Sequence, residues 1–167
     1  MWVRKLMMWL LIALVVFVAA VFVAGQAGFL AGKEPPDLGV RGGKLKPPSR
    51  TQNSVSSQAG LYPDHPMKAY AEIAPIEFTG EGRAAIDRIK RIIETTEGAR
   101  IVRAEPAYLY AQFQTRWLKF VDDAEFFADE GAKVVHVRSA SRIGRGDLGV
   151  NRARIEAIRA RFAAPGS

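Results

Sequence analysis

The sequence predicts an α+β fold, with an antiparallel meander sheet and two helices packed on one face, preceded by an N-terminal transmembrane helix and a flexible tether. Three observations carry this prediction. Residues 6–24 are apolar and uncharged, residues 82–95 repeat apolar side chains at helical spacing, and residues 107–141 contain alternating runs typical of strands. The resulting order, strand, helix, meandering strands and helix, favours an antiparallel sheet that buries its apolar face under the helices.

The N-terminal segment has the length of a membrane span. After a short basic start at residues 1–5, the run Leu6–Ala24 holds nineteen uncharged residues, which as a helix cover about 30 Å, the thickness of a bilayer core. Trp2 and Trp9 suit an interfacial aromatic belt. The alternative is a cleaved signal peptide, whose apolar region usually runs about 7–15 residues. Because this run is longer, we expect an uncleaved signal anchor.

Charge indicates both orientation and class. A basic start followed at once by the apolar run places the carboxyl end outside the cytoplasm, which predicts a single-pass protein of the cell inner membrane with a periplasmic domain. The net charge is +7, but residues 1–60 hold seven basic residues against two acidic ones, so most of the excess lies beside the membrane. We therefore expect no nucleic-acid partner. The absence of cysteine excludes disulfides and thiolate metal sites.

Residues 25–60 are predicted to be a tether, because they are rich in glycine, contain two Pro-Pro pairs and lack periodicity. Their polar end, residues 50–58, is expected to be an ordered loop that leads into the domain. Residues 61–167 then form the globular α+β domain, which has about the commonest domain size.

Within the domain, each element follows from a local pattern. Tyr70–Phe78 is a predicted first strand, although Pro75 restricts it to an edge. Gly82–Thr95 is an amphipathic helix that Gly98 follows. Later strands are predicted over 99–104, 107–116, 119–127 and 133–141, and a last helix starts at about Leu148 or Asn151 and ends near Phe162, with Val150, Ile155, Ile158 and Phe162 facing inward.

The period of two groups polar side chains on the sheet face away from the helices. The face contains Tyr108, Tyr110, Gln112, Gln114, Asp123, Glu125, His136 and Arg138. One interpretation is a solvated face with cross-strand charge pairs; the other is a polar pocket in which tyrosines and glutamines hold a ligand that charges orient.

The loop 139–149 is rich in glycine and precedes a helix, so its amides, with Arg142 and Arg145, can cradle a phosphate or carboxylate. The simpler interpretation is a strand-to-helix turn with Asp147 or Asn151 as the N-cap. We favour the cap, because the carboxylate of Asp147 would repel an anion bound at the N-terminus of the helix.

Four segments of the chain resemble a known family. They are Asn53–Gln58, Phe120–Phe126, His136–Arg142 and Asp147–Arg152, and the Leu-Gly-Val at 38–40 is similar to the lead-in of that family. The chain is thus identified as a member of domain-of-unknown-function family 1499, found in bacteria and plants. Many members have cysteine where Ser54 stands, so the resemblance implies no thiol role here. The family has no established activity, so the resemblance implies a class of protein and names no chemistry.

We expect the domain to bind an anionic ligand or an envelope protein without catalysis, and without a cofactor or metal. The predicted ligand-binding residues are Asp123, Glu125, His136, Arg138, Ser139, Ser141, Arg142, Asn151 and Arg152. Two alternatives remain open. An envelope hydrolase can use His136 and a carboxylate, although neither histidine lies in a nucleophile motif and no calcium-loop spacing is present. A structural scaffold of a membrane complex needs no site.

Overall fold

The structure is a computed structural model that describes residues 2–164. Its helices and strands follow one another along the chain with short connections after residue 67. They are α1 Trp2–Gln26, β1 Ser54–Ser56, α2 Lys68–Ala71, β2 Ile76–Glu77, α3 Gly82–Glu94, β3 Ala99–Glu105, β4 Tyr108–Gln114, β5 Val121–Asp129, β6 Val134–Ser141 and α4 Val150–Ala163, with a 3₁₀ turn at Ala59–Leu61.

The strands form one open antiparallel sheet in the order β1-β6-β5-β4-β3, and β2 also pairs with β6. Strands β3 to β6 follow each other as a meander, because each connection is short enough to return the chain beside the strand it has just left. The predicted α+β class, with a meander sheet and helices on one face, is confirmed.

Helices α3 and α4 cover the inner face of the sheet. That face presents Leu109, Ala111, Phe126 and Val137 to the apolar stripe of α3, in which Ile89 is fully buried. Further core residues come from the two helices and from the inner face of the sheet, and they include Ile86, Ile92, Ile93, Ala124, Val135, Ile155, Ile158 and Phe162. The predicted inward faces are thus confirmed, except that Val150 is 47% exposed, because it is the first residue of α4 and precedes the turn that contacts the sheet.

The segment before α3 differs from the predicted strand at 70–78. A single helical turn, α2, is followed by the two-residue strand β2. Pro75 has no N–H for a ladder, and the carbonyls of Tyr70 and Glu72 accept hydrogen bonds from Arg152 of α4 instead of a neighbouring strand. A long strand is therefore prevented by donors that lie eighty residues away in sequence.

Part of the segment predicted as a tether lies against the sheet. Strand β1 forms the edge beside β6, with Ser54 opposite Ala140, and residues 34–47 cross the outer face of the sheet. We call residues 34–47 the covering segment. A three-residue strand is too short to show alternation, and the covering segment has no regular structure of its own, so neither produces a periodic pattern. The division of the chain at residue 60 stays a prediction.

Helix α1 is 25 residues long, and its most apolar stretch of 18 residues has a mean hydropathy of 3.0 and no buried residue. Length and composition therefore suit a membrane span, and the same properties occur in signal sequences. Its last turn contacts the domain. Gly25 is buried against Leu118, and the Gln26 side chain donates a hydrogen bond to the Trp117 carbonyl at 2.8 Å.

Candidate functional site

The outer face of the sheet contains a buried network around Asp123. Arg142 donates two hydrogen bonds to this carboxylate, from Nε to Oδ2 at 2.9 Å and from Nη2 to Oδ1 at 2.7 Å, and the Tyr110 hydroxyl donates to Oδ1 at 2.5 Å. Asp123 is 1% exposed. The bidentate contact raises the pKa of Arg142, while burial and then the hydrogen bond to Asp123 raise the pKa of Tyr110. Both groups therefore keep their protons at neutral pH.

Beside it lies a buried ion pair between Glu125 and Arg138, which face each other across β5 and β6. Arg138 Nη1 is 3.6 Å from Glu125 Oε2, and neither atom has a hydrogen-bond partner among the described residues. The Tyr108 hydroxyl donates to Glu125 Oε1 at 2.8 Å. Burial lowers the pKa of Arg138, and the charge of Glu125 opposes this. The pair is therefore buried with its charged atoms farther apart than in a good hydrogen bond.

The covering segment closes this face from solvent. The Gly39 amide donates to Glu125 Oε1 at 2.7 Å, and Arg138 Nε donates to the Pro47 carbonyl at 3.3 Å. Leu45 packs on Tyr108 and Tyr110, with Leu38, Val40 and Phe127 beside it. The face is thus not the solvated surface that the alternation allowed, because backbone groups of residues 34–47 cover it; the polar pocket stays a prediction.

Two acidic side chains of the covering segment lie beside the arginines of the face. Glu34 accepts a hydrogen bond from Gln112 at 2.8 Å and is 3.6 Å from Arg142 Nη2. Asp37 pairs with Lys46, whose hydrogen bond lowers the pKa of Asp37, and the charge of Arg138 adds to the same effect. The covering segment therefore places the Glu34 carboxylate beside Arg142, while Asp37 is paired within the segment by Lys46.

Ser139, Ser141 and Asn151 form a second cluster on the inner face, between β6 and α4. Ser139 Oγ donates to Asn151 Oδ1 at 2.6 Å, and Asn151 Nδ2 donates to Ser141 Oγ at 2.9 Å and to the Asn53 carbonyl at 3.2 Å. Arg154 bonds the same cluster and forms an ion pair with Asp122 at 2.6 Å. With Asn151 fully buried, these groups join α4 to the sheet edge and have their partners within the protein.

The loop before α4 ends at the N-cap residue Gly149, so the predicted N-cap at Asp147 or Asn151 is wrong, but Asp147 still bonds the first amides of the helix. Asp147 accepts hydrogen bonds from the amides of Gly149 and Asn151, at 3.0 and 3.2 Å, and from the Tyr70 hydroxyl. Burial would raise the pKa of Asp147, but these donors outweigh it and hold the pKa below its ordinary value of 3.8. The carboxylate thus fills the place at the helix N-terminus that an anionic ligand would need.

The remaining predicted residues lie apart from both clusters. Arg152 connects α4 to α2 through the Tyr70 and Glu72 carbonyls, at 2.6 and 2.9 Å. His136 lies at the other end of the outer face, with Nδ1 3.3 Å from Ser57 Oγ and Nε2 3.8 Å from Asp129 Oδ2. Burial lowers the pKa of His136, although the Asp129 charge opposes it.

The nine predicted residues therefore fall into one outer-face group of Asp123, Glu125, Arg138 and Arg142, one inner-face group of Ser139, Ser141 and Asn151, and two separate residues. The prediction missed the covering segment and the Asp122–Arg154 pair. The division between faces was available from the sequence, because Arg138 and Ser139 are adjacent and must point to opposite sides. No group of three or more metal-ligating side chains occurs in residues 2–164.

Fold and site define a class of protein with one apolar N-terminal helix and an α+β domain, in which a chain segment covers a charged sheet face. The chain belongs to the family described as "Protein of unknown function (DUF1499)", whose profile matches residues 44–162. The match begins inside the covering segment and ends in α4, and it confirms the resemblance seen in the sequence. Searches of the curated proteins and of the solved structures give no match.

Proposed function

We propose that this protein is a single-pass component of the cell inner membrane, and that its periplasmic domain binds an anionic ligand or an acidic segment of an envelope protein without catalysis. The binding site is the outer sheet face with Asp123, Glu125, Arg138 and Arg142. The observation that carries the proposal is the buried Glu125–Arg138 pair, in which one oxygen and one nitrogen lack hydrogen bonds.

Contacts at the end of α1 support an uncleaved anchor. A Cβ atom at Gly25 would lie 2.8 Å from the Leu118 carbonyl oxygen, so the last turn of the helix fits closely on the domain. A helix that is removed after export would need no such fit. A reporter fused after residue 167 tests the orientation: alkaline phosphatase activity supports a periplasmic domain, and activity of a cytoplasmic reporter at the same position contradicts it.

The energetics of buried charge support a binding role for the outer face. Removing two charges from water costs several kcal/mol each, and an ion pair repays this only with good geometry and further hydrogen bonds. The charged atoms of the Glu125–Arg138 pair are 3.6 Å apart, and Glu125 Oε2 and Arg138 Nη1 have no hydrogen bond among the described residues, although Oε1 and Nε are bonded. An ion pair of this kind contributes little to the stability of the fold. A ligand that accepts a hydrogen bond from the unbonded nitrogen of Arg138 would satisfy this buried donor, which is why we assign the pair to binding.

The covering segment is, on this proposal, an internal occupant of the site. It places Glu34 beside Arg142 and Asp37 near Arg138, and about half of each acidic side chain remains exposed, at 49% and 43%. Partly exposed ion pairs contribute only about 0.2–1 kcal/mol each. An anionic ligand can therefore replace these two contacts at little cost, while the hydrogen bonds of Gly39 and Pro47 and the buried Leu45 hold the rest of the segment on the face.

The test is native mass spectrometry of the full chain extracted from its own membrane in detergent. We expect a bound mass on the wild type that is lost in Arg142→Ala and reduced in Arg142→Lys, because lysine keeps the charge but not the bidentate geometry. The matched control is Arg83→Ala, on the exposed side of α3, which should keep the mass. Circular dichroism verifies folding of all three. Equal capture by Arg142→Ala and the control removes the site assignment.

A second candidate function, an envelope hydrolase, is favoured by one observation. His136 lies between Ser57 and Asp129, at 3.3 and 3.8 Å, which is the order of a nucleophile, a base and an orienting carboxylate. Against it, Ser57 Oγ already accepts the Val137 amide at 2.9 Å. Full complementation of a deletion strain by His136→Gln excludes the hydrolase, whereas loss of complementation with intact folding supports it over simple binding.

A further inference from the structure

Three separate parts of the chain meet where α1 ends. The β4–β5 connection contributes Trp117 and Leu118, which contact Gln26 and Gly25. The β6–α4 loop approaches the residues that follow α1, because a Cβ atom at Gly32 would lie 3.0 Å from Ile143 Cγ1. Residues 25–33, 115–120 and 142–146 therefore form one continuous edge of the domain, which we call the anchor edge.

The anchor edge exposes large apolar side chains. Phe29 is 79% exposed, Trp117 is 65% exposed and Ile143 is 40% exposed. The guanidinium of Arg116 lies over the Trp117 ring, 5.2 Å from its centroid. Exposed aromatic and aliphatic side chains that cluster on one edge mark an interaction surface more often than an ordinary solvated surface.

The charge of the anchor edge has one sign. Its three segments contain five basic residues and no acidic residue. Four of them, Lys33, Arg116, Lys119 and Arg145, supply the charge of the edge, because the fifth, Arg142, is 8% exposed and paired with the buried Asp123. Glu34 follows directly and pairs with Arg142, and Glu97 lies on the α3–β3 turn at the same end of the sheet, so these two acids mark the border of the basic area.

We propose that the anchor edge lies on the membrane surface and binds anionic lipid headgroups, an inference that rests on α1 being the uncleaved anchor of the proposed function. A helix needs about twenty residues to cross the hydrocarbon core. Counted from Leu6, this length ends at Gly25, which places the last turn of α1 and its partner Trp117 at the level of the headgroups. Tryptophan and basic side chains are the residues enriched at that level.

The contact has a consequence for the outer sheet face. Because each basic residue near an anionic surface favours the contact by roughly fivefold, the domain keeps one orientation and does not turn freely on its anchor. The covering segment leaves the anchor edge at Glu34, so the covered site of the proposed function lies beside the headgroup layer. A ligand that carries its charge at the membrane surface reaches the site without crossing the solvent.

The full chain tests this inference with single-tryptophan variants, because it contains only Trp2, Trp9 and Trp117. The variant Trp2→Phe/Trp9→Phe keeps the anchor-edge tryptophan, and Trp2→Phe/Trp117→Phe keeps the tryptophan inside α1. The control adds Ala132→Trp after removal of all three, at the exposed β5–β6 turn, the opposite end of the strands. Each protein is reconstituted into vesicles of phosphatidylcholine and phosphatidylglycerol, with a nitroxide quencher at the headgroup or in the upper acyl chain.

We expect headgroup quenching of Trp117 to be at least threefold stronger than quenching of the control tryptophan. Arg116→Glu/Lys119→Glu, or vesicles without phosphatidylglycerol, should reduce it by half or more. If Trp9 is quenched while Trp117 is quenched no more than the control tryptophan, α1 lies in the membrane but the anchor edge does not contact the headgroups, and the inference is overturned. If neither nitroxide position quenches Trp9, α1 is not inserted in the membrane, and both the proposed anchor and the headgroup contact are contradicted.

Discussion

Replacement of Arg138 by methionine gives the sharpest prediction about the buried outer face. Methionine fills a similar volume but removes the charge, so Glu125, which has no exposed surface, stays buried with only the Tyr108 hydroxyl and the Gly39 amide as partners. Breaking a buried pair in this way costs about 3–5 kcal/mol. Because two donors remain on the carboxylate, we expect the lower end, about 3 kcal/mol.

The companion double variant Glu125→Gln/Arg138→Met removes both charges and keeps an oxygen that accepts from Tyr108 and Gly39. Replacing a buried ion pair by uncharged groups of similar volume is often neutral or stabilising, so we expect this variant within about 1 kcal/mol of the wild type. The double variant is thus expected to be more stable than Arg138→Met alone by about 2 kcal/mol or more.

Urea unfolding of the detergent-solubilised chain, followed by near-ultraviolet circular dichroism, measures both values. Arg83→Met, on the exposed side of α3, is the matched control and should change the free energy of unfolding by less than about 0.5 kcal/mol. A cost below 1 kcal/mol for Arg138→Met would show that the pair is not buried as described, and a double variant as unstable as the single one would show that the pair stabilises the fold.

Three further predictions concern other parts of the molecule. Asn151→Ala removes three hydrogen bonds between α4 and the sheet edge and one to Asp147 in the loop before α4, and should lower the free energy of unfolding by about 2–4 kcal/mol; the neighbouring exposed Val150→Ala should change it by less than about 1 kcal/mol, and equal effects would contradict the assigned contacts. Since burial lowers the pKa of His136 below 6.5, the unfolded chain binds this proton more readily, so stability should fall as the pH drops from 7 to 5 and fall less in His136→Gln; parallel pH profiles of denaturation midpoint would refute this. Gly25→Val places side-chain atoms against the Leu118 carbonyl and should increase amide hydrogen exchange in residues 116–120, and unchanged exchange would show that α1 does not pack there.

Alternation in the strands was enough to predict the sheet and both of its faces. The inward positions of Leu109, Phe126 and Val137 follow from a period of two, and the α3 stripe follows from a period of 3.6, because burial imposes the geometry of the element on the sequence. The same rule placed Asp123 and Glu125 together on the outer face. In these parts of the fold, the residues that the local periodicity assigns to the inner face are also the residues that the tertiary structure buries.

The covering segment could not be predicted because its contacts have no periodic signature. The Gly39 amide and the Pro47 carbonyl bind the sheet through backbone atoms that every residue possesses. Glycine and proline at such positions serve irregular backbone geometry, and the same composition is typical of a tether. Its role becomes visible only when the buried charges on the sheet are matched to their partners.

The measurement that tests the account most directly is the amount of bound ligand when the covering segment is weakened. Glu34→Gln/Asp37→Asn removes the carboxylate that lies beside Arg142 and the carboxylate that the charge of Arg138 influences, but changes no residue of the sheet. If a ligand and the segment compete for this face, native mass spectrometry of the extracted protein should show a roughly two- to fivefold higher bound-to-free ratio than in the wild type. An unchanged or lower ratio, with the fold intact, would contradict the outer sheet face as the binding site.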